Sequence, residues 1–78
     1  MAVQVVADVQ QINAPMAGII ARVFVADGDA VVAGQPLCVL ESLKLETVLA
    51  ARQAGRVRVL TSADTNVVGG QTLFTVTA

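Results

Sequence analysis

The sequence predicts a small all-β domain made of two similar halves, and three observations lead there. Valine and isoleucine recur in short runs broken by glycine, asparagine and aspartate, the pattern of strands joined by tight turns. Helix signals are weak by comparison. The chain also repeats itself: Ala17-Gly18-Ile19-Ile20 has a counterpart in Ala54-Gly55-Arg56-Val57, Asp27 in Asp64, Val31-Val32 in Val67-Val68, and Gly34-Gln35-x-Leu37 in Gly70-Gln71-x-Leu73. Two copies of one strand-turn-strand unit point to a pseudo-twofold molecule, since two half-apolar sheets can bury their faces against each other.

The elements follow in chain order. Ile19, Ala21, Val23 and Val25 alternate with Ile20, Arg22 and Phe24, so this run reads as an extended strand with the first set on one face and the second on the other. Asp27-Gly28-Asp29 supplies residues that tolerate positive φ and marks a turn. Ala30 to Val32 is a short strand. Gly34-Gln35-Pro36 is the next turn, because proline lacks an N–H donor and belongs at a turn or a strand start. Residues 37–40 begin another strand, and the second copy repeats the series. The offset between copies is 37 residues early and 36 late, which places a one-residue length difference in the second turn, near Thr65-Asn66. Gly28, Gly34, Gly55 and Gly70 read as turn glycines, and Met16 reads as packing.

Residues 37–50 join the copies and contain no glycine, proline or asparagine. As one strand they would span about 46 Å, too long for a domain whose strands have about five or six residues. The segment must bend near its middle. A two-residue turn at Leu43-Lys44 pairs Ser42 with Leu45 and sets Glu41 opposite Glu46, an unfavourable cross-strand pair. A local rule broken at one point raises a suspicion of function there. The chain's single lysine occupies that point.

Composition narrows the chemistry. A chain of 78 residues has room for one domain, residues 1–78, with repeat halves at about 14–41 and 51–76 and the hairpin 41–46 between them. The absence of histidine removes the commonest proton shuttle and the usual triads and zinc ligands, so independent catalysis and a metal site are not expected. Cys38, flanked by Leu37 and Val39, reads as a small buried apolar side chain. A net charge of −1 and two phenylalanines offer no footprint for nucleic acid, and Arg52, Arg56 and Arg58 read as a solvated strand face. The longest uncharged stretches, 9–21 and 65–78, are shorter than a membrane span, and no basic segment precedes an apolar one at the start. A cytoplasmic location is the expectation.

Glu41-Ser42-Leu43-Lys44-Leu45-Glu46, with Gly28-Asp29-x-Val31-x-x-Gly34-Gln35-x-Leu37 upstream and Val67-x-x-Gly70-Gln71-x-Leu73 downstream, resembles a biotinyl domain of the biotin/lipoyl attachment family. Ala14-Pro15-Met16-Ala17-Gly18 resembles that family's opening motif. The resemblance implies a flattened barrel of two four-stranded antiparallel sheets related by a pseudo-twofold axis. It also implies that Lys44 receives biotin through an amide, and that Glu41, Ser42, Leu43, Leu45 and Glu46 flank it as recognition residues or, for the glutamates, as polar groups keeping the hairpin soluble. The implied function is that of a biotin carboxyl carrier, a monomeric domain shuttling carboxyl between a biotin carboxylase and a carboxyltransferase after a biotin protein ligase has loaded it. The usual biotinyl tetrapeptide has methionine on both sides of the lysine, where this chain has Leu43 and Leu45. Lipoyl domains usually place aspartate before the lysine, so biotin is favoured over lipoate on a 2-oxoacid dehydrogenase-type arm. An unmodified interaction module of the same fold is the third reading.

Overall fold

The computed structural model describes residues 8–43 and 45–78. Eight strands follow one another: β1 (Val9–Asn13), β2 (Gly18–Val23), β3 (Ala30–Val31), β4 (Pro36–Ser42), β5 (Leu45–Ala50), β6 (Gly55–Val59), β7 (Asn66–Val67) and β8 (Thr72–Thr77). All pairs are antiparallel, in two four-stranded sheets ordered β1-β8-β6-β3 and β5-β4-β2-β7. Exchanging β1–β4 with β5–β8 turns one order into the other. Each sheet therefore takes two strands from each half of the sequence, and neither half forms a sheet alone.

The repeat is carried by the core. Ile20 and Val57, Val31 and Val67, Leu37 and Leu73, Cys38 and Phe74, and Leu40 and Val76 occupy matching places, and all are buried between the sheets. The turns match as well. Gly34 N–H donates to the Ala51 carbonyl at 2.7 Å, and Gly70 N–H to that of Ala14 at 2.8 Å. In both copies the glutamine after that glycine accepts a backbone N–H on its side-chain oxygen at 3.1 Å, from Val32 to Gln35 and from Val68 to Gln71. Gly28, Gly34 and Gly70 have φ near 88°, the left-handed conformation that the third position of such turns demands. Met16 packs partly buried against the core, as expected.

Four sequence expectations are corrected. The one-residue difference between the copies does not lie near Thr65-Asn66. It is a β-bulge at Ala21, where Ile20 pairs with Leu40 and Arg22 with Val39, whereas Val57 and Arg58 pair without interruption with Val76 and Thr75. The partner of Asp64 is accordingly Gly28 and not Asp27: Gly28 N–H donates to the Val57 carbonyl and Asp64 N–H to the Ile20 carbonyl, each at 2.7 Å, and both residues have positive φ. The same bulge breaks the predicted alternation of β2. Ile20 is fully buried while Arg22 and Phe24 face solvent, because the extra residue turns the strand over between Ile20 and Arg22. Gly55, finally, is not a turn glycine. It opens β6, and a Cβ there would run into the Thr77 carbonyl, as a Cβ on its counterpart Gly18 would run into that of Glu41.

Residues 52 and 53, which follow β5, sit against the chain's terminal strands: Gln53 Nε2 donates to the carbonyls of Asp8 and Val76, and Ala78 N–H to that of Asp8. The full length of β5 thus separates Asp8 and Ala78 from the β4–β5 turn.

Candidate functional site

The segment that must bend does so at the predicted place. Glu41 pairs with Glu46 and Ser42 with Leu45, leaving two residues for the turn. Lys44, the predicted attachment point, lies outside the described residues; its neighbours in sequence define the tip. Leu43 has a φ of 51°, a left-handed conformation that costs a branched residue roughly 1–2 kcal/mol. Its side chain is 100% exposed, and Leu45 is 57% exposed. Two leucines out of the core, one of them in an unfavourable backbone conformation, gain nothing for the fold. Glu41 and Glu46 are also solvent-facing, side by side on the outer face of the sheet, with Ser42 half-buried behind the tip.

Beside the turn lies an open groove floored by Ala17, Gly18 and Ile19 and bounded by Ser42, Leu43 and Asn66. Of the residues lining it, only Glu41 and Ser42 bear a proton-transferring or nucleophilic group. Cys38 is fully buried, and burial pushes its thiol from 9.0 up to about 11, so it stays protonated at neutral pH. Among the described residues no cluster of histidine, cysteine, aspartate or glutamate is arranged to hold a metal. Arg56 and Arg58 lie on the exposed face of β6, as a solvated strand face requires, while Arg52 is held at the edge of β1 by its backbone N–H to Gln10 Oε1 and its Nη2 to the Gln11 carbonyl. Among the described residues the hairpin tip is exposed and the groove beside it is open, a geometry suited to displaying a group, as a carrier type of domain does.

The comparisons agree with that class. Residues 10–76 match the family model described as biotin-requiring enzyme. The chain is 40% identical over 68 residues to pyruvate carboxylase of Aspergillus terreus, covering 87% of this chain and 6% of that protein. It is 44% identical over 64 residues to the mitochondrial methylcrotonoyl-CoA carboxylase subunit alpha of Oryza sativa subsp. japonica, covering 81% and 9%. A solved single-chain, multi-domain long-chain acyl-CoA carboxylase superposes with a TM-score of 0.81 at 35% identity, over 99% of this chain and 8% of that one. The fold alone is shared with the Kluyveromyces lactis urea carboxylase, at a TM-score of 0.80 and 23% identity over 97% of this chain and 7% of that one. The chain belongs to the biotin-requiring enzyme family, as a domain of the biotin carboxyl carrier kind. It spans less than a tenth of the length of these relatives.

The sequence located the turn, its pairing and its flanking residues. It missed Ile19 and Val48, which stand exposed on the outer face beside the hairpin. The bulge at Ala21 hid Ile19, because unbroken alternation puts it on one face with Val23 and Val25, which pack against the core.

Proposed function

We propose that Lys44 is the covalent attachment point for biotin, and that the domain is a carrier acted upon by other enzymes. The observation that carries this is the β4–β5 turn. It is two residues long, exposed and conformationally costly at Leu43, and it contains the chain's one lysine. The surroundings fit a bulky acyl group on that lysine, since the residue before it is wholly exposed and the flanking groove is open. A primary amine on a flexible stem can be acylated, whereas a guanidinium stays protonated and cannot serve. An ordinary lysine is almost wholly charged at pH 7, so the enzyme that forms the amide has to supply the base.

Once attached, biotin would carry carboxyl between a biotin carboxylase and a carboxyltransferase. The chain's own part is to hold the attachment point at the end of the paired strands β4 and β5. Tethering of this kind raises the local concentration of a carried group to as much as about millimolar. Leu43 and Leu45 give a partner's pocket apolar side chains to grip, and Glu41, Ser42 and Glu46 set polar groups around them. Lys44→Arg tests the assignment. With a purified biotin protein ligase, ATP and biotin, the wild-type domain should become labelled and the variant should not; labelling of the variant would move the site elsewhere.

A further inference from the structure

The pseudo-twofold axis makes each outer sheet face the control for the other. Positions that serve only the fold should match between the halves, and several exposed apolar residues do: Val32 matches Val68 and Phe24 matches Leu60, all about half exposed or more. The outer faces do not match. On the β5-β4-β2 sheet, Val48, Val39 and Arg22 form one cross-strand row, and Glu46, Glu41 and Ile19 form the next. The equivalent rows on the β1-β8-β6 sheet are Gln11, Thr75 and Arg58, then Val9, Thr77 and Arg56. Val48 thus stands where its twin has Gln11, Val39 where it has Thr75, and Ile19 where it has Arg56. Val9 runs the other way, opposite Glu46, at the strand's first residue. The fold accepts polar side chains at these places, so packing does not explain Ile19 and Val48, which are 47% and 56% exposed.

We infer that the outer face of β5-β4-β2, centred on Ile19 and Val48 with the largely buried Val39 between them, is the docking surface for the enzyme that attaches biotin, whose matching surface is apolar at its centre and basic toward the hairpin. This rests on Lys44 as the attachment point. The face is continuous with the turn, since β4 and β5 run from it to the Ser42–Leu45 pair, so a partner seated there lies beside the turn. The acid pair Glu41 and Glu46 lies on the turn side of the apolar row and Arg22 at its far end, which sets the charge order a partner must complement. The attaching enzyme is the occupant favoured because it meets the domain before the cofactor is present. It has only protein surface to recognise, whereas enzymes using the loaded domain can also bind the cofactor itself.

The test transplants the twin face. Ile19→Arg with Val48→Gln installs residues that the fold already carries at the equivalent positions, and Val48→Gln alone, on an edge strand, is the milder variant. Biotin attachment by a purified biotin protein ligase is followed against domain concentration, with thermal unfolding as the control for folding. The double variant should raise KM at least about tenfold, about 1.4 kcal/mol, with kcat little changed. The single variant should raise it in the same direction. Arg56→Ile with Gln11→Val, on the other face, should leave KM unchanged. A wild-type KM for a folded double variant would overturn the inference while leaving Lys44 in place; a wild-type domain that is never labelled would instead remove the attachment site on which it depends.

Discussion

Leu43 shows how a single residue can mark a site against its own backbone preference. A β-hairpin turn of two residues favours asparagine or glycine at its first position, because the conformation there is left-handed. Leucine at a φ of 51° is out of place on stability grounds. Leu43→Asn should therefore raise stability by about 1 kcal/mol, seen as a thermal midpoint higher by roughly 4–8 °C; an unchanged midpoint would show that leucine bears no penalty there. Cys38 gives a residue-scale prediction with a pH sign. Its folded thiol ionises only near about 11 while the unfolded thiol does so near 9.0, so between these values the unfolded chain holds fewer protons. Stability from this group is constant below pH 9 and falls as pH rises from 9 toward 11. Urea unfolding at pH 8 and pH 10 should show a steeper loss for the wild type than for Cys38→Ala, and equal losses would contradict the burial effect. The position and pairing of the turn were legible in the sequence because a fourteen-residue segment without breakers had to fold back on itself. Leu43's conformation was not, because no residue type announced it.

At the scale of the element, the β2 bulge decides what the sequence could reveal. Alternation predicts which side chains point inward only while the register is unbroken, and one extra residue at Ala21 reverses it for everything that follows. The strand was legible, and so was the 37-to-36 change in repeat offset. Locating the extra residue required the partner strand, because a bulge is a property of a pair of strands. Its twin β6 pairs with β8 without a bulge and still directs Val57 inward and Arg58 outward. Deleting Ala21 should therefore convert β2 to the β6 pattern, Ile20 inward and Arg22 outward, and the domain should fold with stability changed by no more than about 1 kcal/mol. Loss of the cooperative unfolding transition in urea would mean that the bulge is required by the fold.

For the molecule as a whole, the economy lies in using one strand arrangement twice and specialising one copy. The core repeats in matched pairs such as Leu37 with Leu73 and Ile20 with Val57, so the repeated motifs in the sequence already implied the paired sheets. The interleaving of the halves within each sheet was not legible, since strand order depends on contacts between distant segments. Symmetry ends where β4 and β5 meet. By the repeat, Leu45 is equivalent to Asp8, so the place taken by the hairpin in one half is taken by the chain's terminal strands in the other, and the single amine side chain belongs to the hairpin. The most direct measurement is the intact mass of the domain after co-expression with a biotin protein ligase, followed by fragmentation to locate the added group. The account predicts a gain of about 226 Da, biotin less the water lost in forming the amide, confined to the peptide containing Lys44 and absent from Lys44→Arg. A gain of about 188 Da, which would be lipoyl, a gain at the N-terminal amine, or no gain beside a ligase shown to be active would contradict it.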